Sequence, residues 1–451
     1  MFMNVTVADM MRARDARAER QRQLLAGNRK TLLCFTMNIP GPVKRSAEIE
    51  NGFAIGKRRL RGAFLRAEIH PLYEEETIES TGCEIIYVLP TDPLALKRLT
   101  AEVEERDALG RLFDLDVLRP DGIKVDRQEI GLPGRRCLLC GEAAQVCARS
   151  RRHSVEALVS RTYEILREAI RAELGRRVSS IAARALLFEV NSTPKPGLVD
   201  RLNSGSHRDM DIFTFASSTA ALAPYFGCCA KAGYDLRGAP AEETLAAIRP
   251  MGKQAEEEML LSTGGVNTHK GAVFSLGILA AAAGRTGEVG SIPAERLLSL
   301  VAEICRGITA QDFAGLTEEN AHTVGQQLFL RYGIPGVRGE AERGFPLVRK
   351  YGLPKLRAGL SAGLSLNDAG CAALLSMLAG GTDTNVIHRS SFARAKGISA
   401  RAAELLAAQP FPSRETLIAF DRELTAENIS PGGTADLLAL TFFLYFMEEG
   451  E

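Results

Sequence analysis

At 451 residues the chain is longer than one hydrophobic core usually supports, so two domains are the starting expectation. Lys and Arg number 56 against 55 Asp and Glu, and the net charge of +1 excludes a global attraction to nucleic acid or an anionic membrane. The 45% hydrophobic and 25% charged content excludes a disordered or fibrous chain, and nine cysteines, an odd number, suit reduced thiols or a metal site better than a disulfide framework.

The N-terminus, MFMNVTVADMMRARDARAERQRQLLAG, scatters Arg and acidic residues where a signal peptide or membrane span would be apolar. It reads as an amphipathic helix of a cytoplasmic protein. TLLCFTMNI and EIIYVL are β-rich runs, and LALKRLTAEVEERDALG has apolar positions three to four apart, as a helix requires. RLFDLDVL and IKVDR follow as strands joined by the turn RPDG. From Ser154 the pattern changes: SVEALVSRTYEILREAIRAELGRRVSSIAARALLFEV is helical throughout, and Ala/Leu-rich helices between short Gly and Pro loops continue to the end. The expected architecture is two domains: an N-terminal α+β domain, 1–174, and a nearly all-α domain, 175–451. No Pro/Gly/Ser-rich linker separates them, so the boundary falls near Gly175, inside or beside a connecting helix.

Four loops of the helical part concentrate polar residues suited to phosphate. STPKPGLVDRLNSGSHRDMD fixes the backbone around Lys195 with two prolines, permits close approach at Gly197, and continues to His207, Asp209 and Asp211. TGGVNTHKG places Asn267, His269 and Lys270 before a long apolar helix whose N-terminal amides favour an anion. GGTDTNVIHR carries Asp383, Asn385 and Arg389, and in ISPGGTADLLAL Thr434 is placed to cap a helix bearing Asp436. Any one of these loops alone also reads as an ordinary helix connection, with its lysines and carboxylates solvated; Glu256 likewise reads as an exposed helix residue.

PKPGLVDR, GVNTHKG, GTDTNV (where the family has GDTNV) and SPGGTADLL, in that order, resemble the triphosphoribosyl-dephospho-CoA synthase family of citrate lyase assembly. The resemblance covers essentially all of residues 175–451. It implies that ATP and 3′-dephospho-CoA are the substrates, with adenine released and the triphosphoribosyl group left on the 2′-hydroxyl. That is substitution at an anomeric carbon, which needs a base for the hydroxyl and an acid for adenine. Asp209, Asp211, Glu256 and Asp383 are the carboxylates expected for these roles or for Mg²⁺, without a ranking among them. Lys195, His269 and Lys270 are expected to hold the triphosphate, with Gly197, His207, Asn267 and Asn385 around it.

In the smaller part, FTMNIPGPVKRS places Lys44 after a β-run, and GRLFDLDV places Asp114 and Asp116 two apart on a strand, hence on one face. Such a pair either holds Mg²⁺ or decorates a solvated sheet face. LPGRRCLLCGEAAQVCARSRRHS gathers Cys137, Cys140, Cys147 and His153, readable as a Cys₃His zinc site or as packed reduced thiols. Arg151 and Arg152 beside them form a basic cluster suited to phosphate or to an acidic carrier protein. NIPGPVK, GRLFDLDV and RRCLLC followed by CARSRRHS resemble the apo-citrate lyase phosphoribosyl-dephospho-CoA transferase family over roughly residues 5–170. That resemblance implies transfer of the prosthetic group to a serine of the acyl carrier (gamma) subunit of citrate lyase, with release of pyrophosphate. The product of the larger domain would then be the substrate of the smaller. The equivalent pathway for malonate decarboxylase, and a carrier-binding assembly factor without activity, are the alternatives; neither nucleic acid nor membrane is an expected partner.

Overall fold

In the computed structural model, which describes residues 4–450, the chain divides into two compact units, the first ending at Glu173 and the second beginning at Leu174. Thr6 opens the first helix, α1 (Val7–Asn28), through a capping box with Asp9. The expected helix is present, but its apolar stripe is not. Leu25 is its one buried residue, and its contacts run through Arg17 to Glu84 and through Arg20 to Glu75 and Thr77.

The β-rich runs form β1 (Thr31–Met37), β3 (Gly82–Leu89) and β4 (Phe113–Leu118), joined at the edge by β2 (Tyr73–Glu79) in the antiparallel order β2-β3-β1-β4. IKVDR does not continue the sheet: it contributes one bridge, Leu118 to Lys124, before Asp126 caps a short 3₁₀ turn that turns the chain aside. Phe35, Leu33, Phe113, Leu115, Val117, Ile85 and Tyr87 occupy one sheet face and are buried. Against it lie α2 (Ala47–Arg66) and α3 (Pro93–Glu105). The three glycines of α2 disguise it as loop in the sequence, yet Gly56 is required: a Cβ there would stand 2.4 Å from the Phe35 ring. The opposite face carries Thr36, Glu84, Asp114 and Asp116. The short α4 (Ala144–Ser150) precedes α5 (Val155–Asn191), the helix that contains the division between units.

Every strand among the described residues lies in the first unit; the second is helical. It comprises α6 (Ile212–Asp235), α7 (Ala241–Ser262), α8 (Lys270–Thr286), α9 (Ala294–Ile304), α10 (Ile308–Asp312), α11 (Val324–Tyr332) and α12 (Gly336–Glu342). Then follow α13 (Leu353–Ser361), α14 (Leu366–Gly380), α15 (Thr384–Arg389), α16 (Phe392–Ala408), α17 (Arg414–Ala426) and α18 (Gly432–Glu449). α6 is long and apolar enough to cross a membrane, and Leu222, Phe226, Cys229 and Ala230 bury one side of it in a core with α8 and α18, about a third of its apolar window being buried. The α6–α8 crossing depends on two reciprocal glycines. A Cβ on Gly233 would sit 2.0 Å from the Ala281 carbonyl oxygen, and one on Gly284 would sit 1.9 Å from that of Ala230. This close crossing sets the start of α8 beside α6, where the polar loops gather.

Candidate active sites

In the second unit, the four polar loops meet around residues 429–436. Gly197, at φ +73°, lies so close to Ile429 that a Cβ would be 2.3 Å from its carbonyl oxygen. Its N–H donates to Asp421 Oδ1 at 2.8 Å, and the other oxygen of Asp421 accepts from Asn203 Nδ2 at 2.9 Å, binding the loop to α17. His207 Nε2 stands 2.9 Å from Ser430 Oγ, and Arg389 reaches the Ser206 carbonyl oxygen at 3.2 Å. Burial and the neighbouring Arg389 push the His207 pKa down, against the pull of Asp209.

Lys195 does not face a phosphate site freely, as the sequence reading expects. It is 1% exposed, and its ammonium is bonded to the buried Glu189 of α5. Burial raises the carboxyl of Glu189 even with Lys195 beside it. Asp383 is also spoken for. It caps α15 by accepting from the N–H groups of Asn385 and Val386 at 2.8 and 3.2 Å, and its other oxygen accepts from Thr434 N and Oγ1 at 2.6 and 2.7 Å. Thr434 therefore donates to Asp383 and does not cap its own helix. Asp211 caps α6 through the Thr214 N–H at 2.9 Å, while the side chain of Asp209 is 63% exposed. Asn385 lies against Gly432, where a Cβ would meet its Nδ2 at 2.6 Å.

Two further groups stand at the starts of α8 and α18, the buried His269 and the partly buried Asp436. His269 Nδ1 is 2.7 Å from Ser218 Oγ, and its Nε2 is buried without a partner. Burial, with Lys195 nearby, pulls its pKa down to about 3, so the imidazole is neutral at physiological pH. Asp436 packs into the first turn of α8: a Cβ on Gly271 would be 2.0 Å from its Oδ2. Burial, then Glu189 and Asp383, raise its carboxyl well above the ordinary value. At the rim, Lys270 pairs with Glu256 at 3.0 Å, and Asn267 accepts from the Lys270 N–H at 3.3 Å. Helices α8 and α18 thus point their N-terminal amides at a place furnished with a neutral imidazole, a carboxyl raised well above its ordinary value and a lysine. The sequence reading does not name Glu189, and it names Asp436 only as an acid on the helix after Thr434, without a role in the site. Their signal was a single acid inside an otherwise apolar helical run, ALLFEV and TADLLALTFFLYF.

In the first unit, a cavity of about 230 Å³ lies on the open sheet face, lined by Arg14, Arg17, Thr36, Lys44, Glu84 and Asp114 among others. The register explains the gathering: Thr36 of β1 is opposite Glu84 on one side and Asp114 on the other. Cross-strand partners share a face, so the two carboxylates flank Thr36 roughly 10 Å apart. Lys44 donates to the Ile39 carbonyl oxygen, and burial with Arg14 nearby lowers its pKa. Asp116 shares the face but is paired with Lys124 and does not line this cavity, and Arg151 and Arg152 stand outside it. Glu84, absent from the sequence reading, takes its place in the row. The sulfurs of Cys137, Cys140 and Cys147 and a ring nitrogen of His153 all lie within 4.8 Å of one another.

Two units, each setting carboxylates beside cationic groups suited to phosphate, fit an enzyme that transfers phosphorylated groups. Residues 175–451 match the family described as ATP:dephospho-CoA triphosphoribosyl transferase, and residues 5–169 match apo-citrate lyase phosphoribosyl-dephospho-CoA transferase. Protein CitXG of Haemophilus influenzae is 37% identical over 98% of this chain and 96% of its own. Protein CitXG of Leuconostoc mesenteroides subsp. cremoris is 32% identical over 96% and 95% respectively. The 2-(5''-triphosphoribosyl)-3'-dephosphocoenzyme-A synthase of Klebsiella pneumoniae is 42% identical over 59% of this chain and 89% of its own. The chain belongs to the fused family that joins these two transferases, serving synthesis of the citrate lyase prosthetic group.

Proposed function

We propose that the second unit builds the triphosphoribosyl-dephospho-CoA precursor with Asp436 as its acid. The 2′-hydroxyl of 3′-dephospho-CoA attacks the anomeric carbon of ATP ribose, and the bond to adenine breaks as Asp436 gives adenine its proton. The hydroxyl proton passes to Glu256 at the open rim. If Ser218 donates to Nδ1 of His269, Nε2 carries the hydrogen, and this buried donor, with the amides of α8 and α18 and the ammonium of Lys270, holds the triphosphate. Lys195 acts through Glu189, keeping the floor of the site formed. Among the described residues no three carboxylates come within reach of one ion, and Mg²⁺ suits such a place because ATP supplies oxygen ligands of its own. Asp209 at the rim would hold it, and it would neutralise phosphate charge.

The observation that carries this reading is the carboxyl of Asp436, raised by burial and wedged between two helix starts. Adenine departure requires an acid, and a carboxyl raised well above its ordinary value is suited to supply the proton. The test is Asp436→Asn assayed for adenine release. A fall of about 10²-fold or more with ATP affinity kept supports the role, and an unchanged rate contradicts it.

For the first unit, a serine hydroxyl of the acyl carrier subunit attacks the α-phosphorus of the precursor, the bond to the β-phosphate breaks, and pyrophosphate leaves with the serine's proton. Arg14 and Lys44 receive the pyrophosphate, and Asp114 and Glu84 would hold Mg²⁺ against the developing charge. Arg151 and Arg152, exposed outside the cavity, are free to meet the carrier. The Cys137, Cys140, Cys147 and His153 donors would take Zn²⁺.

A further inference from the structure

We infer that this Cys₃His set is a structural zinc knuckle whose purpose is to hold Arg135 against Asp114, so that zinc governs the transfer reaction and not the synthase reaction. The inference rests on the zinc reading and extends it to a working role. In a tetrahedral site with zinc–sulfur bonds of about 2.3 Å the ligand atoms stand roughly 3.8 Å apart. The four donors here already lie within 4.8 Å, with Cys140 Sγ 3.3 Å from Cys147 Sγ and 3.2 Å from His153 Nε2. All three thiols are free.

The backbone is shaped for the ion. Cys137 N–H donates to the Glu142 carbonyl oxygen at 2.6 Å, Ala144 N–H to that of Arg135 at 2.8 Å, and Gly141 takes φ +74° to close the turn. Inside it the N–H groups of Leu139, at 3.5 Å, and Cys140 point at Cys137 Sγ, donors that suit a metal-bound thiolate. From Gly131 to Ser154 the one buried residue is Cys147. A segment with so little apolar burial has no core of its own, and a metal is the usual substitute.

What the knuckle supports is next to it in sequence. Arg135 donates to the Phe113 carbonyl oxygen at 2.8 Å, bonds the buried Glu104, and stands 3.4 Å from Asp114. Arg111, at the other end of the turn into β4, bonds the Arg136 carbonyl oxygen. The strand carrying Asp114 is thereby tied twice to the base of the knuckle. Arg135 is a positioning residue: it holds the orientation of Asp114 and touches no substrate.

The full-length protein, purified from zinc-replete medium, should hold about one zinc per chain. Exchange for Co²⁺ should produce the ligand-field and thiolate charge-transfer bands of a tetrahedral sulfur-rich site. Removal of the metal by a chelator, or Cys140→Ser, should slow carrier modification from preformed precursor by about 10–100-fold, restored in the wild type when Zn²⁺ is returned. Adenine release should stay unchanged throughout. Arg135→Gln should keep zinc and lower kcat of the transfer with KM little altered, and Arg135→Lys should recover part of the loss. Neither zinc nor a cobalt spectrum, or a Cys140–Cys147 disulfide in its place, would overturn the site. Zinc bound but transfer indifferent to its removal would overturn the coupling. Absence of adenine release in the metal-loaded wild type would count against the synthase reading and leave the zinc result standing.

Discussion

Lys195 and Glu189 form an ion pair closed to solvent, with side chains 1% and 5% exposed. Between the two prolines of PKPG, the lysine looks in sequence like a phosphate ligand, but the fold turns it inward onto α5. Removing one member leaves the other charge buried and alone. Lys195→Met should therefore destabilise the protein by about 3–5 kcal/mol, measured by urea unfolding, and Glu189→Leu in the same chain should return part of the loss. A cost below about 1 kcal/mol would mean that the pair opens to water.

His269 makes stability depend on pH in a direction that can be worked out. In the unfolded chain it titrates near 6.5, and in the folded protein near 3. Between those values only the unfolded state takes up the proton, so this contribution is complete above pH 6.5 and is lost as pH falls. The wild type should lose about 1.4 kcal/mol per pH unit relative to His269→Gln over that window. Parallel stability curves for the two proteins would show that His269 protonates in the fold.

Asp114 and Asp116 share a strand and a face, yet they should differ in function. Asp114 lines the cavity, whereas Asp116 is engaged by Lys124. Asp114→Asn should reduce carrier modification by about 10²-fold or more while adenine release continues, and Asp116→Asn should keep most of the rate. Equal losses in the two variants would return the metal role to the pair.

The crossing of α6 and α8 gives a prediction of stability alone. Gly284→Ala drives a methyl into the Ala230 carbonyl and should cost about 1–3 kcal/mol in the unfolding midpoint experiment. Gly238→Ala, where nothing lies within 4 Å, is the control and should change little.

What the sequence disclosed depended on where the chemistry lay. The helical second half was legible because long Ala/Leu runs between Gly and Pro loops allow one reading, and the four polar loops stood out as breaks in that pattern. That they converge around residues 429–436 was not legible, because Gly197 against Ile429 and Asp383 against Thr434 join positions far apart in sequence. Edge strand β2 was hidden by its glutamates, which an edge tolerates. Glu84 went unnoticed because only the register reveals that it faces Thr36 opposite Asp114. A carboxylate spent on a helix cap, such as Asp211, looks in sequence like one free for catalysis.

The central claim is that one chain makes the prosthetic group and attaches it, and a two-stage assay of the intact protein tests it directly. ATP, Mg²⁺ and 3′-dephospho-CoA are supplied first and adenine is followed by chromatography; the apo carrier subunit is then added and weighed by mass spectrometry. The account predicts adenine release, followed by a carrier heavier by one phosphoribosyl-dephospho-CoA group. A carrier of unchanged mass after adenine has been released would contradict the role of the first unit, and no adenine at all would contradict the account at its root.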